Sequence, residues 1–295
     1  MKLHATGFIP CSWEVALFKS LKGLFGSGSG SGGDDPLDTT PPPPDVLARA
    51  EAGDAEAANE VGLWYSNNQP ASPKVGFWFR RAADAGLARA QHNMGVVAFR
   101  SGKTAESIQW FKRAVGGGWR NSHFALGSLL EELGDRKGAF AAFVSGAEQG
   151  CPDSQNAIGE LALEYETEES FKVARYWSEK AAEQDNADAQ MRLGTIFHEG
   201  LGVVQDPEEA AFWFLKAARQ GHAGAQAMIG IASHLGNGVE ANRLNAMRML
   251  MLSAAQGNEI AKAYLPTVNA ELTPDEKSRI EQWIAGIGGK PTRPD

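Results

Sequence analysis

The sequence predicts an all-α solenoid of about six and a half helix-turn-helix units, closed by a C-terminal capping helix. Three observations carry this. A turn-type position recurs at Gly53, Gly86, Gly118, Gly150, Asp185, Gly221 and Gly257, in steps of 33, 32, 32, 35, 36 and 36 residues. A second set keeps phase with it. Nine residues on stand Gly62, Gly95, Gly127, Gly159, Gly194 and Gly230, with Pro266 in the last unit; four residues on stand Ala57, Ala90, Ser122, Ser154, Ala189, Ala225 and Ala261. A third set lies eight residues before each later turn: Trp78, Trp110, Ala142, Trp177, Trp213 and Met249. Such a period marks a stacked array, because one unit cannot bury its apolar face alone.

Composition sets the bounds. Apolar residues make up 43% and charged residues 22% of 295, a globular proportion with enough chain for a sizeable core. The net charge of −8 argues against a non-specific nucleic-acid binder, which needs a basic face. Two cysteines, Cys11 and Cys151, can build neither a disulfide framework nor a four-thiolate zinc site. No apolar run reaches the roughly 18 residues of a membrane helix.

From the N-terminus, residues 13–25 place Trp13, Leu17, Leu21 and Leu24 at helical spacing, with Glu14, Lys19 and Lys22 off that stripe. This is a short amphipathic helix that could dock on a partner or a membrane surface. Charges interrupt its apolar run, so it reads poorly as a secretion signal, and Phe8-Ile9-Pro10-Cys11 is a poor lipidation box. The expected location is cytoplasmic. Residues 26–45 form a linker, glycine- and serine-rich from Gly26 to Gly33 and stiffened by Pro41 to Pro44, expected to be disordered. The repeat domain is expected over 46–285, followed by a disordered tail at 286–295.

Each unit divides into two helices. Helix A carries the small residue, an apolar residue and the second glycine. Glycine inside a helix costs about 1 kcal/mol against alanine, which makes sense where a neighbour must approach closely. Helix B carries the aromatic position, whose tryptophans are expected to fill the space between adjacent hairpins. The first glycine fits a left-handed position ending helix B. The fifth unit is the best punctuated: Asp206 is a natural N-cap, Pro207 suits the first helical position, and Glu208 and Glu209 suit the first-turn dipole. Asn242 plays the cap in the sixth unit. Thr273-Pro274-Asp275-Glu276 spells a capping box for the last helix.

These residues resemble the Sel-one-like repeat (SLR) family, a relative of the tetratricopeptide repeats. The resemblance is carried best by Ala189, Leu193, Gly194, Phe197, Gly200, Gly202, Val203, Asp206, Ala210, Trp213, Lys216, Ala217, Ala218 and Gly221. Units two and three have shorter turns, and unit four replaces the glycine loop with acidic residues 164–169. The resemblance implies a right-handed superhelix with a concave groove, acting as a non-enzymatic scaffold or adaptor for other proteins or peptides, often in bacteria. A cysteine-rich branch linked to β-lactams is excluded, since Cys151 is the single cysteine of the repeat region.

No catalytic residue, metal site or cofactor is expected. The histidines form no H-E-x-x-H, and Gly116-Gly117-Gly118 lacks the lysine and hydroxyl of a phosphate loop. By analogy with the tetratricopeptide groove, the helix A positions facing outward are Asn59, His92, Phe124, Asn156 and Met191. One turn later come Ser128, Glu160 and Thr195, and further along Glu131, His198 and His234. Asparagines there could grip a peptide backbone, and Phe124 and Met191 an apolar side chain. The expected partner is a protein or peptide, not nucleic acid, with membrane contact only through 13–25. The first alternative role is regulation or localisation through that helix, at a membrane or a partner; the second is an enzyme whose site the sequence does not reveal.

Overall fold

A computed structural model describes residues 42–287, so the readings of 13–25, of the linker through residue 41 and of the tail from 288 lie outside it. Among the described residues the chain forms fifteen α-helices and no strand. They fall into two compact units, divided between Gln149 and Gly150. The first holds α1 (Pro44–Glu51), α2 (Ala55–Asn68), α3 (Pro73–Asp84), α4 (Ala88–Arg100), α5 (Thr104–Gly116), α6 (Asn121–Glu132) and α7 (Arg136–Glu148). The second holds α8 (Pro152–Leu163), α9 (Glu168–Ala182), α10 (Ala187–Glu199), α11 (Pro207–Arg219), α12 (Ala223–Leu235), α13 (Arg243–Ala255), α14 (Glu259–Glu271) and α15 (Pro274–Ile287).

From α2 to α13 the helices pair as six hairpins. The single α14 is the half unit and α15 the cap. Helix α1 starts at Pro44, inside the stretch read as linker, because proline suits the first helical position and Asp45 the first turn. Helix α15 reaches Ile287, two residues into the stretch read as tail.

Local chemistry sets the ends. Gly53, Gly86, Gly118, Gly150, Gly221 and Gly257 close their turns with φ of 78° to 103°, and Asp185 adopts the same left-handed region at 60°. Asp206 accepts the N–H groups of Glu208 and Glu209 at 3.1 and 3.0 Å. Asn242 accepts that of Asn245 at 2.9 Å. Thr273 and Glu276 exchange hydrogen bonds across the first turn of α15. Helix α12 uses an unusual cap: the Nδ1 of His222 accepts the Ala225 N–H at 3.1 Å.

Inside each hairpin the second glycine of helix A faces the residue after the helix B tryptophan position. A methyl group on Gly62, Gly95, Gly127 or Gly194 would overlap the ring of Phe79, Phe111, Phe143 or Phe214 respectively. At Gly159 and Gly230 the partners are Ser178 and Leu250, and a helix B carbonyl comes within 3.3 Å of the missing methyl. The aromatic ring is thus set into a notch that only glycine leaves open. Trp78 and Trp110 are buried, whereas Trp177 and Trp213 are half-buried; Trp213 lies against the cluster of Ala162, Ala174, Ala181, Leu193 and Ile196, drawn from α8, α9 and α10.

A second, polar register links the helices. Gln220 donates to Gln190 at 2.8 Å, and Gln190 donates to the Ala182 carbonyl at 3.2 Å. Gln256, Gln226 and the Ala218 carbonyl repeat the arrangement, and Gln184 donates to Gln155. Gln190 and Gln226 so tie the end of the preceding helix B to the end of their own.

Candidate functional site

The helix A positions divide by burial. In the first unit, Asn59 and His92 are each 1% exposed, contrary to the expected outward orientation. The reason is polar pairing between successive A helices. Asn93 donates to Asn59 at 2.9 Å, and His92 Nδ1 lies 2.8 Å from Ser122 Oγ. The His92 ring packs on Phe111 at 5.2 Å, and its Nε2 has no hydrogen-bond partner. Burial pulls its pKa down to about 4. Phe124 is half-buried against Phe143, Ser128 is buried, and Glu131 is exposed.

In the second unit, Asn156 and Glu160 are brought together by a residue the sequence reading passed over. Arg192 on α10 donates to both carbonyl and carboxylate of α8, each at 3.1 Å, with 14% of its side chain exposed. Met191 is half-buried in the core of α11 and α12, and Thr195 donates back to the Met191 carbonyl. His234 is held from two sides: Nδ1 lies 2.9 Å from the Tyr264 hydroxyl and Nε2 3.0 Å from Glu271.

His198 borders a cavity. A space of about 200 Å³ is lined by His198 at the end of α10, Pro207, Ala211 and Phe214 on α11, Met228, Ile231, Ala232 and Leu235 on α12, and Asn237 beyond it. It opens to solvent, and Leu235 at its edge is 63% exposed. The volume is below the roughly 300–1,000 Å³ of sites that enclose a whole small molecule, and matches a single large side chain. The His198 ring lies 6.3 Å from that of Phe214, and its Nε2 lies 3.7 Å from Glu199.

Met228, Ile231 and Leu235 carry no mark in the sequence beyond belonging to an apolar helix, and the signal that could have found them is their spacing of three and four residues. Among the described residues no group of three or more His, Cys, Asp or Glu side chains could hold a metal ion, and no helix is long and apolar enough to cross a membrane.

The pattern of the Sel1 repeat matches residues 76–87, 88–118, 152–186, 187–222 and 223–258, together just over half of the chain. A sel1-like repeat-containing protein of Acanthamoeba polyphaga mimivirus is 27% identical over 126 residues, 41% of this chain and 24% of that protein. The fold is similar to a protective antigen of uropathogenic Escherichia coli strains displaying an SLR fold, with a TM-score of 0.71 at 23% identity over 80% of this chain and 54% of that one. It is similar also to a Sel1 repeat protein from Oxalobacter formigenes, with a TM-score of 0.57 at 21% identity over 81% and 96%. The chain therefore spans about a quarter of the viral relative and about half of the antigen. Proteins built this way are generally interaction modules without catalytic activity, and the glycine notches, phased turns and matched repeats together mean that this chain belongs to the Sel1 repeat family.

Proposed function

We propose that this chain is a non-enzymatic scaffold that holds a partner protein by one of its segments, seated on the helix A side of the second unit at the cavity between α10, α11 and α12. The observation that carries this reading is that cavity: it is apolar, open, and sized for one side chain, the form of anchor that recurs when a folded surface captures a peptide.

The test is affinity capture with the full chain, comparing wild type with Leu235→Asp. Leu235 is 63% exposed, so an aspartate there leaves the fold intact while placing a charge at the cavity mouth. Ile260→Asp, at a 52% exposed position on α14, serves as control. Loss of a partner by Leu235→Asp alone supports the reading; identical partner sets for all three proteins overturn it.

A further inference from the structure

The repeat supplies its own comparison for the cavity. His198 and His234 stand 36 residues apart at the ends of α10 and α12, and Met228 and Tyr264 stand 36 residues apart on α12 and α14. In the later pair the space is closed from within: the Tyr264 ring meets His234 edge-on at 5.5 Å, and its hydroxyl reaches Nδ1 at 2.9 Å. The carboxylate of Glu271 holds the other ring nitrogen. In the earlier pair a carboxylate is again present, from Glu199, but Met228 brings neither ring nor hydroxyl. The cavity is the space that an aromatic side chain fills one repeat later.

Charge selects what lies beside that ring. The second unit holds 20 acidic against 11 basic residues over 150–287, while the first holds 11 against 12 over 42–149. No lysine or arginine lines the cavity, and Glu199, Asp206 and Glu208 directly neighbour lining residues in sequence. Lys216, two residues from Phe214, lies over the Trp213 and Phe212 rings. From this we infer that the cavity takes a tyrosine side chain of a partner segment whose flanking residues are lysine or arginine. Its hydroxyl meets His198 Nδ1 as Tyr264 meets His234, its ring packs on Phe214, Met228 and Leu235, and the flanking cations face the acidic rim. This rests on the scaffold reading above and gives its partner a chemistry.

The experiment is fluorescence anisotropy with the full chain and four labelled synthetic peptides: a tyrosine between pairs of lysines, the same peptide with phenylalanine or serine for the tyrosine, and the tyrosine between pairs of glutamates. The lysine-flanked tyrosine peptide should bind best. Phenylalanine should weaken it roughly fivefold through the lost hydrogen bond. Serine should abolish binding, and glutamate flanks should weaken it at least about tenfold, with the lysine peptide released by salt. Met228→Tyr, which closes the cavity as the next repeat does, should abolish binding with an unchanged circular dichroism spectrum. Equal binding of the tyrosine and serine peptides, equal binding of the lysine and glutamate peptides, or full binding by Met228→Tyr would each overturn the inference. If no peptide binds while partner capture still depends on Leu235, the inference fails and the scaffold reading stands.

Discussion

At the scale of single residues, the notch made by each helix A glycine decides where stability resides. Phe214 is 2% exposed and its ring occupies the place of a Gly194 side chain. Phe214→Ala should cost about 3–5 kcal/mol in urea unfolding, as large-to-small core changes do. Trp213→Ala should cost less, because that indole is half-exposed and its N–H already reaches Glu209 at 2.8 Å. Gly194→Ala should cost about 1–3 kcal/mol by overpacking. His92 gives a pH signature. Its folded pKa of about 4 lies below the ordinary 6.5, so the unfolded chain binds the proton more readily between those values. Stability that is present above pH 6.5 is therefore lost as pH falls towards 4, by about 3 kcal/mol, and changes no further below. Unfolding free energies at pH 7 and pH 5 should show this slope in wild type and a smaller one in His92→Leu, where His123, its pKa also lowered by burial, still contributes.

At the scale of elements, the turns were written plainly in the sequence and the helix A surface was not. Glycine, proline and short polar caps act locally, so their types alone place the ends of α11, α13 and α15. Burial is set by what the next hairpin brings, and a single unit carries no sign of that. Asn59 and His92 occupy outward-looking register positions, yet Asn93 and Ser122 of the following units take them in. The tryptophans drew notice by size, while the phenylalanines beside them fit the glycine notches. The glutamines recur at Gln184, Gln220 and Gln256 with a step of 36, a signal present in the sequence and passed over. Two predictions belong here. Asp206→Ala removes a cap that serves two N–H groups and should lower stability by about 1 kcal/mol. Asp185→Gly should raise it by about 0.5–1 kcal/mol, because a side chain with positive φ is strained where the other units have glycine. Thermal melts of the two variants should shift in opposite directions.

At the scale of the whole molecule, the acidic excess is confined to the second unit. Like charges crowded on one compact body oppose its folding, and salt screens them. Raising ionic strength should increase hydrogen-exchange protection across 150–287 more than across 42–149; equal gains would show that the charge imbalance has no energetic effect. The two units also differ in what their A helices present. The first joins its A helices with the buried neutral pairs Asn59–Asn93 and His92–Ser122, and the second combines an apolar gap with acidic surroundings.

The ring-in-notch contact lies wholly within one hairpin, whereas the glutamine tie reaches only to the hairpin before. Neither depends on how many hairpins the chain has. Copying residues 187–222 in tandem after His222 would therefore preserve both contacts in the new cassette, while the copied Arg192 would face Arg192 and Ile196 in place of Asn156 and Glu160. A lineage can in this way lengthen the stack, with refitting left to the polar pairs between successive A helices.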